Sequence, residues 1–342
     1  MRSRIIATLA LTSIVAAGCS TEETGPLRLV THDSFDVSTE VLTAFTEDTG
    51  FEVEVVPLGD AGSMLNRIVL TADDPEGDVV FGIDSTFLTR ALDADVLLPH
   101  RAEGLGSVDP ALVPEDDRVT PVDFGDVCVN YDIAWFADAG LAVPATLADL
   151  AAPEYAGLLA VMNPATSSPG LAFLLGTIER LGEDEAFAFW ERLRESDVLV
   201  TDGWSEAYYG AFTYASDGDR PLVVSYASSP PAEVLFATEP LDTSPTGVIV
   251  DTCYRQVEYA GVLAGTDRPD DARALVDFLL SPTFQADVPL TMFVFPARTD
   301  VALPDAFTAY AVLPDTPLVM DAGRIDAGRS DWIERFTATV LR

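Results

Sequence analysis

The stretch between residues 27 and 84 decides the fold, because LRLVTHD (27–33), FEVEVVP (51–57) and DVVFGID (78–84) each have the pattern of a strand. The first is apolar, the second alternates, and the third is almost continuously apolar. Two segments with helical spacing, 39–48 and 61–71, separate them. Strand, helix, strand, helix, strand is typical of a parallel sheet covered on both faces, so we expect an α/β fold.

Two of these strands run into short polar motifs, HDSF (32–35) and GIDST (82–86). Ligands of parallel sheets bind at the carboxyl ends of strands, so Asp33, Ser34, Asp84 and Ser85 are candidate binding residues. The alternative is purely structural, since serine and aspartate after a strand commonly cap the next helix.

A second unit of the same class follows residues 122–131. Its strand 158–162 leads into NPATSSPG (163–170), and the proline and glycine open a helix that runs to about residue 181. Ser167 and Ser168 therefore lie at a helix N-terminus, which attracts anions and hydrogen-bond acceptors. The remaining expected elements are helix 183–194, strands 198–201, 222–226 and 255–263, helix 270–280, a turn at 281–282, and a closing helix 331–341.

The aromatic stretch TDGWSEAYYGAF (201–212) has three interpretations. Ser205 in a Gly-Trp-Ser turn suggests an esterase, but that chemistry needs a histidine that normally lies downstream, and both His32 and His100 lie upstream. The pair Tyr208-Tyr209 suggests ferric iron. Trp204 suggests a stacking wall for a flat ligand, and carboxylates among aromatic residues also suit a polyamine.

Composition favours binding over catalysis. The 342-residue chain has a formal charge of −37, which argues against nucleic acid as a partner. All 19 basic residues are arginine, so a phosphate-binding loop with its lysine and Schiff-base chemistry are both excluded. With only two histidines a multi-histidine metal site is excluded as well. We therefore expect a protein that is not an enzyme and has no metal or cofactor.

The first residues read as a targeting signal. Arg2 and Arg4 precede an apolar run at 5–17, and VAAGC ends at Cys19. This resembles a bacterial lipobox, which implies a signal peptide at 1–18, lipidation of Cys19 and a polar tether at 19–26. No later segment approaches the roughly 20 apolar residues of a membrane span. We expect a protein anchored by lipid to the outer face of the cell membrane, or a periplasmic one.

Eight motifs together resemble one family, the thiamine-binding proteins of bacterial ABC importers, within the two-lobed solute-binding proteins. They occur in order over nearly the whole mature chain: THDSF (31–35), SMLNRI (63–68), VVFGID (79–84), PVDFGD (121–126), NPATSSPGL (163–171), DGWSEAYYG (202–210), VVSYASSP (223–230) and SPTFQADVP (281–289). The resemblance implies a monomeric type II periplasmic-binding-protein fold that captures thiamine between two lobes. It also implies delivery of thiamine to an ABC permease with its ATPase.

The lobes implied are residues 27–125 with 256–305, and residues 126–255 with 306–342. They would be joined by a hinge of crossing strands. Cys128 and Cys253 lie in segments that look like those crossing strands, so we expect a disulfide near the hinge, with buried free thiols as the alternative.

The resemblance also carries residue roles. Trp204 and Tyr226 match aromatic residues that hold the ligand rings, and Phe293 stands where the family commonly has tryptophan. The remaining matches are carboxylates at Asp33 and Asp84, hydroxyls at Ser167 and Ser229, and Tyr208 as a cleft residue, with Tyr209 expected at a helix surface. An aromatic residue that often follows the last Ser-Pro is replaced by Pro231 and Ala232, so the choice between thiamine and its phosphates stays open.

The chemistry of thiamine suits these residues independently. Its thiazolium ring is a permanent cation, and a cation over an aromatic face gains about 0.5–2 kcal/mol. A carboxylate pairs with that charge or accepts a hydrogen bond from the aminopyrimidine.

Overall fold

The computed structural model describes residues 25–342. Its strands are β1 (Leu27–Thr31), β2 (Val53–Pro57), β3 (Val79–Asp84), β4 (Leu97–Leu98), β5 (Thr120–Asp132), β6 (Leu159–Met162), β7 (Leu199–Thr201), β8 (Leu222–Tyr226), β9 (Thr246–Leu263) and β10 (Phe295–Pro296). Its helices are α1 (Thr39–Thr49), α2 (Ala61–Leu70), α3 (Leu88–Asp93), α4 (Ile133–Ala139), α5 (Ser168–Leu181), α6 (Glu183–Glu195), α7 (Trp204–Glu206), α8 (Pro230–Leu235), α9 (Pro269–Leu279), α10 (Pro282–Thr291), α11 (Asp305–Tyr310) and α12 (Ala322–Val340).

The strands form one sheet in the order β2-β1-β3-β9-β5-β8-β6-β7, with β4 paired to β9 and β10 paired to β5. β1 is parallel to β2 and β3, and β6 is parallel to β7 and β8. The long strands β5 and β9 are antiparallel to their neighbours and join these two parallel groups. The expected α/β architecture is confirmed. The two parallel groups run in opposite directions, so the carboxyl ends of β3 and β8 face each other along the middle of β5 and β9.

Hydrophobic patterning places the strands correctly in the sheet. Every residue of β3 is buried, in agreement with its continuous apolar sequence and its position between β1 and β9. The alternating strand β2 lies at the edge and is only partly buried. Helix α5 buries eleven residues from Ser168 to Ile178 because it packs along β9 and against α6.

Several element boundaries differ from the sequence-based expectation. β1 ends at Thr31, so the predicted strand 27–33 is two residues too long, and the segment 255–263 is only the second half of β9. The closing helix begins at Ala322 rather than residue 331, and its two internal glycines weaken the helical pattern there. The expected turn at 281–282 opens α10, in which Ser281 accepts a hydrogen bond from the Phe284 amide. Pro289 inside α10 hid this helix from sequence analysis.

The predicted disulfide between Cys128 and Cys253 is present, with the two Cα atoms 4.2 Å apart. It lies where β5 and β9 lose their regular register, between Val127 and Val129. Both cysteines are buried. The bond therefore links the two strands that connect the parallel groups of the sheet, at one of the two irregularities in their pairing.

Three sequence-based expectations remain predictions. The lobe boundaries at 125/126 and 255/256 fall inside β5 and β9, and the division into lobes stays a prediction. The signal peptide and Cys19 lie outside the described residues. Within residues 25–342, no helix combines the length and the apolar character needed to cross a membrane.

Candidate functional site

A cavity of about 390 Å³ opens between the two parallel groups of the sheet. Most of the sequence-predicted residues meet there: its lining includes Asp33, Ser34, Trp204, Tyr208, Tyr226, Ser229 and Phe293. They come from the loop after β1, from α7 and the turn that follows it, from the end of β8, and from the segment after α10. Residues more than 250 positions apart in the chain, such as Asp33 and Phe293, therefore line the same cavity.

Three predicted residues do not line this cavity. Asp84 is fully buried and its Oδ1 accepts a hydrogen bond from the Thr86 amide at 2.6 Å. Ser85 exchanges hydrogen bonds with the backbone of Val257. The Ser167 hydroxyl accepts from the Gly170 amide at 3.3 Å and so caps α5. All three side chains are therefore engaged by backbone groups, and Ser168, next to Ser167, lines the cavity.

Asp60 is the most important cavity residue that sequence analysis missed. Its carboxylate caps α2 by accepting from the Ala61 amide at 2.7 Å. The same side chain accepts from the Ser168 amide at 3.0 Å and from the Trp204 amide at 3.0 Å. One carboxylate thus joins the N-termini of α2, α5 and α7, which belong to different parallel groups of the sheet.

The environment of Asp60 has two opposing effects on its ionisation. Burial raises the pKa of the Asp60 carboxyl, whereas the amides of Trp204 and Ser168 and the charge of His32 lower it, and the net pKa is raised. The short Leu58-Gly59-Asp60 segment gave one usable signal, an aspartate directly before a helix. Nothing in it indicated the two distant amides.

One side of the cavity is an aromatic wall, formed by Trp204, Tyr208, Tyr226 and Phe293. The Trp204 and Tyr208 rings are stacked, with centroids 5.0 Å apart and planes inclined by 20°. The Trp204 indole donates to the Ser225 hydroxyl at 2.9 Å, and that hydroxyl lies 2.9 Å from the hydroxyl of Ser229. The indole is therefore fixed by a polar contact at its edge while it lines the cavity.

The other aromatic members are also held in place. The Tyr226 hydroxyl donates to the Gln256 side-chain oxygen at 3.0 Å, and the Gln256 amide donates to the Ser168 hydroxyl. Phe293 has φ of 55°, a left-handed conformation that a bulky residue adopts only where its surroundings impose it. Its ring meets that of Phe236 edge-on at 5.4 Å, and Phe236 also lines the cavity.

A second part of the lining is a charged wall, formed by His32, Asp33, Asp60 and Glu258. His32 Nε2 lies 3.4 Å from Glu258 Oε1. Behind the wall, Glu258 on β9 is paired in register with Asp84 on β3 and with Asp123 on β5. A cavity lined by both carboxylates and aromatic rings suits a flat organic cation.

The iron interpretation of Tyr208-Tyr209 loses its geometric basis. The Tyr208 hydroxyl donates to Glu233 Oε1 at 2.6 Å inside the protein, whereas the Tyr209 side chain is 61% exposed. Residues 25–342 contain no group of three or more histidine, cysteine, aspartate or glutamate side chains placed to hold a metal ion.

The esterase interpretation fails on the surroundings of Ser205. Its hydroxyl lies 3.2 Å from the Ser34 hydroxyl. The only histidine of the cavity lining, His32, accepts from the Ser34 amide at Nδ1 and faces Glu258 with Nε2. Neither ring nitrogen is directed at the Ser205 hydroxyl as a general base must be.

Comparison with known proteins agrees with this geometry. The family model of the bacterial extracellular solute-binding proteins matches residues 74–314. This chain belongs to that family. It is 31% identical over 323 residues to the thiamine-binding periplasmic protein of Salmonella typhimurium, which covers 92% of this chain and 94% of the relative.

Solved structures give the same result for the fold. A periplasmic thiamin binding protein is 29% identical, covers 92% of this chain and 96% of its own, and superimposes with a TM-score of 0.81. The ferric binding protein from Campylobacter jejuni is 18% identical, with coverage of 92% and 99% and a TM-score of 0.73, so it supports only the shared fold. The expected type II binding-protein fold and the resemblance to thiamine-binding proteins are both confirmed.

Proposed function

We propose that this chain is the extracytoplasmic thiamine-binding protein of an ABC importer. The observation that carries the proposal is the cavity itself, in which the ring of Trp204 and the carboxylates of Asp33 and Glu258 line one enclosed space. Aromatic faces suit the aminopyrimidine and thiazolium rings, and carboxylates suit the fixed positive charge. The identity of 31% to a thiamine-binding periplasmic protein supports the same ligand.

In this role the protein transforms nothing and needs no resident cofactor, since thiamine is its cargo. It captures thiamine outside the cytoplasm and passes it to a membrane permease that an ATPase drives. The lipid anchor at Cys19 belongs to the proposal. Cys19→Ala should release the protein from membranes without impairing its binding of thiamine, and retention of the variant in washed membranes would assign the anchor to another segment.

Calorimetry on the purified full chain tests the ligand. We expect tight one-to-one binding of thiamine. The affinities of thiamine monophosphate and diphosphate, measured in the same way, determine which form the protein prefers. Spermidine and ferric citrate serve as the matched tests of the polyamine and iron alternatives. Binding of either of these with no heat from thiamine would overturn the proposal.

A further inference from the structure

The charged wall contains an ion pair that faces the cavity directly. His32 Nε2 and Glu258 Oε1 are 3.4 Å apart, and both side chains are about nine-tenths buried, with 12% of each exposed. The histidine follows β1 and the glutamate lies on β9, next to β3. A ligand in this cavity therefore meets a carboxylate that already has a partner able to carry a proton.

Acidic groups surround the imidazole. Besides Glu258, the charges of Asp60 and Asp33 act on His32. Burial alone would lower the pKa of His32, but the charge and hydrogen bond of Glu258 together with these two aspartates outweigh it and raise the pKa. The Ser34 amide donates to Nδ1 at 3.2 Å in the neutral ring, so a proton that arrives there replaces one weak hydrogen bond.

Glu258 forms an acidic row with Asp84 on β3 and Asp123 on β5, which lie beside it in the sheet register. Burial would raise the pKa of Glu258, but the charge of His32, 3.4 Å away, outweighs burial and lowers the pKa. Asp123, paired with Glu258 in the strand register, is fully buried, and neither of its carboxylate oxygens has a hydrogen-bond partner among the described residues. Burial, then the charge of Glu258, raises the pKa of Asp123 far above its usual range.

Asp84 lies on the other side of Glu258 in the register, and burial raises the pKa of its carboxyl to about 6. No arginine lines the cavity in the part of the chain that the structure describes. Among the side chains that line the cavity, His32 is therefore the one able to carry a positive charge beside Glu258.

We propose that Glu258 binds the positive charge of the ligand, and that the ligand displaces the His32 proton as it binds. Two cations that face one carboxylate in a buried site repel each other, and the imidazole relieves this repulsion by deprotonation. The proton passes from Nδ1 to solvent, and the Ser34 amide then donates to that nitrogen. This inference rests on the proposed function for the identity of the cation.

Calorimetry of thiamine binding in pairs of buffers with different ionisation enthalpies tests the exchange. We expect the full chain to release close to one proton per thiamine at pH values where His32 is protonated in the free protein. By linkage, affinity should rise about tenfold per pH unit across that range and become constant above it. The free aminopyrimidine half of thiamine, which lacks the thiazolium cation, should release no proton.

The chain offers a matched pair of variants because it has only two histidines. His32→Gln should abolish proton release and flatten the pH profile. His100→Gln should change neither, because His100 pairs with Asp277 at 2.8 Å and does not line the cavity. Glu258→Gln should weaken thiamine binding more than tenfold and also abolish proton release.

A titration of the ligand-free protein by NMR separates this inference from the proposed function. The His32 ring signals should titrate above the ordinary value of about 6.5 and shift downward in Glu258→Gln. Tight thiamine binding without proton release, or a His32 that titrates at or below its ordinary value, would overturn the exchange. If His32 titrates above its ordinary value but thiamine does not bind, the proposed function fails. Proton release is then measured on addition of spermidine, and binding of spermidine without proton release would overturn the exchange.

Discussion

The aromatic wall and the charged wall of the cavity are assembled from the chain in different ways. Two of the four aromatic residues, Trp204 and Tyr208, come from one continuous turn, so their proximity is local. The charged residues come from three places, the loop after β1, the start of α2 and the second half of β9. The stacked pair of the aromatic wall is therefore encoded by one motif, whereas Asp60 and Glu258 come close to His32 only after the sheet has formed.

This difference affects what each wall does. Three of the four aromatic side chains donate one hydrogen bond each, and all four line the cavity. The charged side chains are already engaged, since Asp60 accepts from two distant amides and His32 pairs with Glu258. We infer that the aromatic wall supplies contact area, while the charged wall also controls how the two parallel groups approach and which charge the cavity accepts.

The largest expected effect comes from removal of the Asp60 bridge. Asp60→Ala leaves the amides of Ser168 and Trp204 without their acceptor, and each charge-assisted hydrogen bond contributes about 1.5–3 kcal/mol. We expect thiamine affinity measured by calorimetry to fall at least about a hundredfold, a change of about 3 kcal/mol.

Asp36→Ala is the matched control for that variant. Asp36 also lines the cavity, but its carboxylate accepts only from the adjacent Val37 amide, at 2.9 Å. Asp36→Ala removes one negative charge, as Asp60→Ala does, but leaves the Asp60 bridge intact, so thiamine affinity should change by no more than about threefold. Equal losses in the two variants would show that net charge, and not the bridge, is what matters.

The acidic row behind the charged wall should destabilise the folded protein at neutral pH. Burial raises the pKa of Asp84 from 3.8 to about 6. Between these values the folded state binds a proton that the unfolded state has lost, so stability falls as pH rises from about 4 to about 6 and is then constant. The full difference is about 3 kcal/mol, since each pH unit between the two values corresponds to about 1.4 kcal/mol.

Asp84→Asn should remove this pH dependence and keep the acceptor for the Thr86 amide. Denaturation by urea at a series of pH values should show the variant gaining on the wild type as pH rises from about 4 to 7. Parallel stability profiles for the two proteins would mean that Asp84 is ionised in the folded state.

The aromatic wall should respond to the loss of ring area. Trp204→Ala should weaken thiamine binding by roughly 1–3 kcal/mol, about ten- to a hundredfold, without unfolding the protein. Trp204→Phe should recover much of that loss, although it loses the bond to Ser225. Fluorescence quenching by thiamine should shrink sharply in the Phe variant. An unchanged thiamine affinity in a folded Trp204→Ala protein would contradict the stacking role of this wall and favour a polyamine or iron as the ligand.

The sequence was sufficient for the architecture because its signals are local. The apolar and alternating patterns of residues 27–84 predict the first parallel group, and β5 and β9 are visible as the segments that hold the two cysteines. The misplaced elements are those whose local signal is disguised. Two glycines hide the first half of α12, and Pro289 hides α10, although both helices are held by packing.

For the site, the sequence predicted positions better than orientations. Asp33 and Asp84 both follow strands, yet Asp33 lines the cavity while Asp84 turns inward to the Thr86 amide. Ser167 and Ser168 are neighbours, and only the second reaches the cavity. Glu258 lies in the middle of an otherwise ordinary strand, so only the register with Asp84 and Asp123 reveals its position. Such choices depend on tertiary contacts that no single segment contains.

The smallest expected effects concern Tyr208 and Tyr209, which are neighbours in the aromatic turn but differ in environment. Tyr208→Phe removes the bond to the partly buried Glu233 and should lower the free energy of unfolding by about 1–2 kcal/mol, with little change in thiamine affinity because the ring remains against Trp204. Tyr209→Phe is the matched control, and since its side chain is 61% exposed it should change neither quantity measurably. Addition of ferric citrate to the wild type should give no tyrosinate charge-transfer absorption, because the Tyr208 hydroxyl is committed to Glu233. An absorption band that disappears in both variants would make the tyrosine pair an iron site and would reduce the aromatic wall to Trp204, Tyr226 and Phe293.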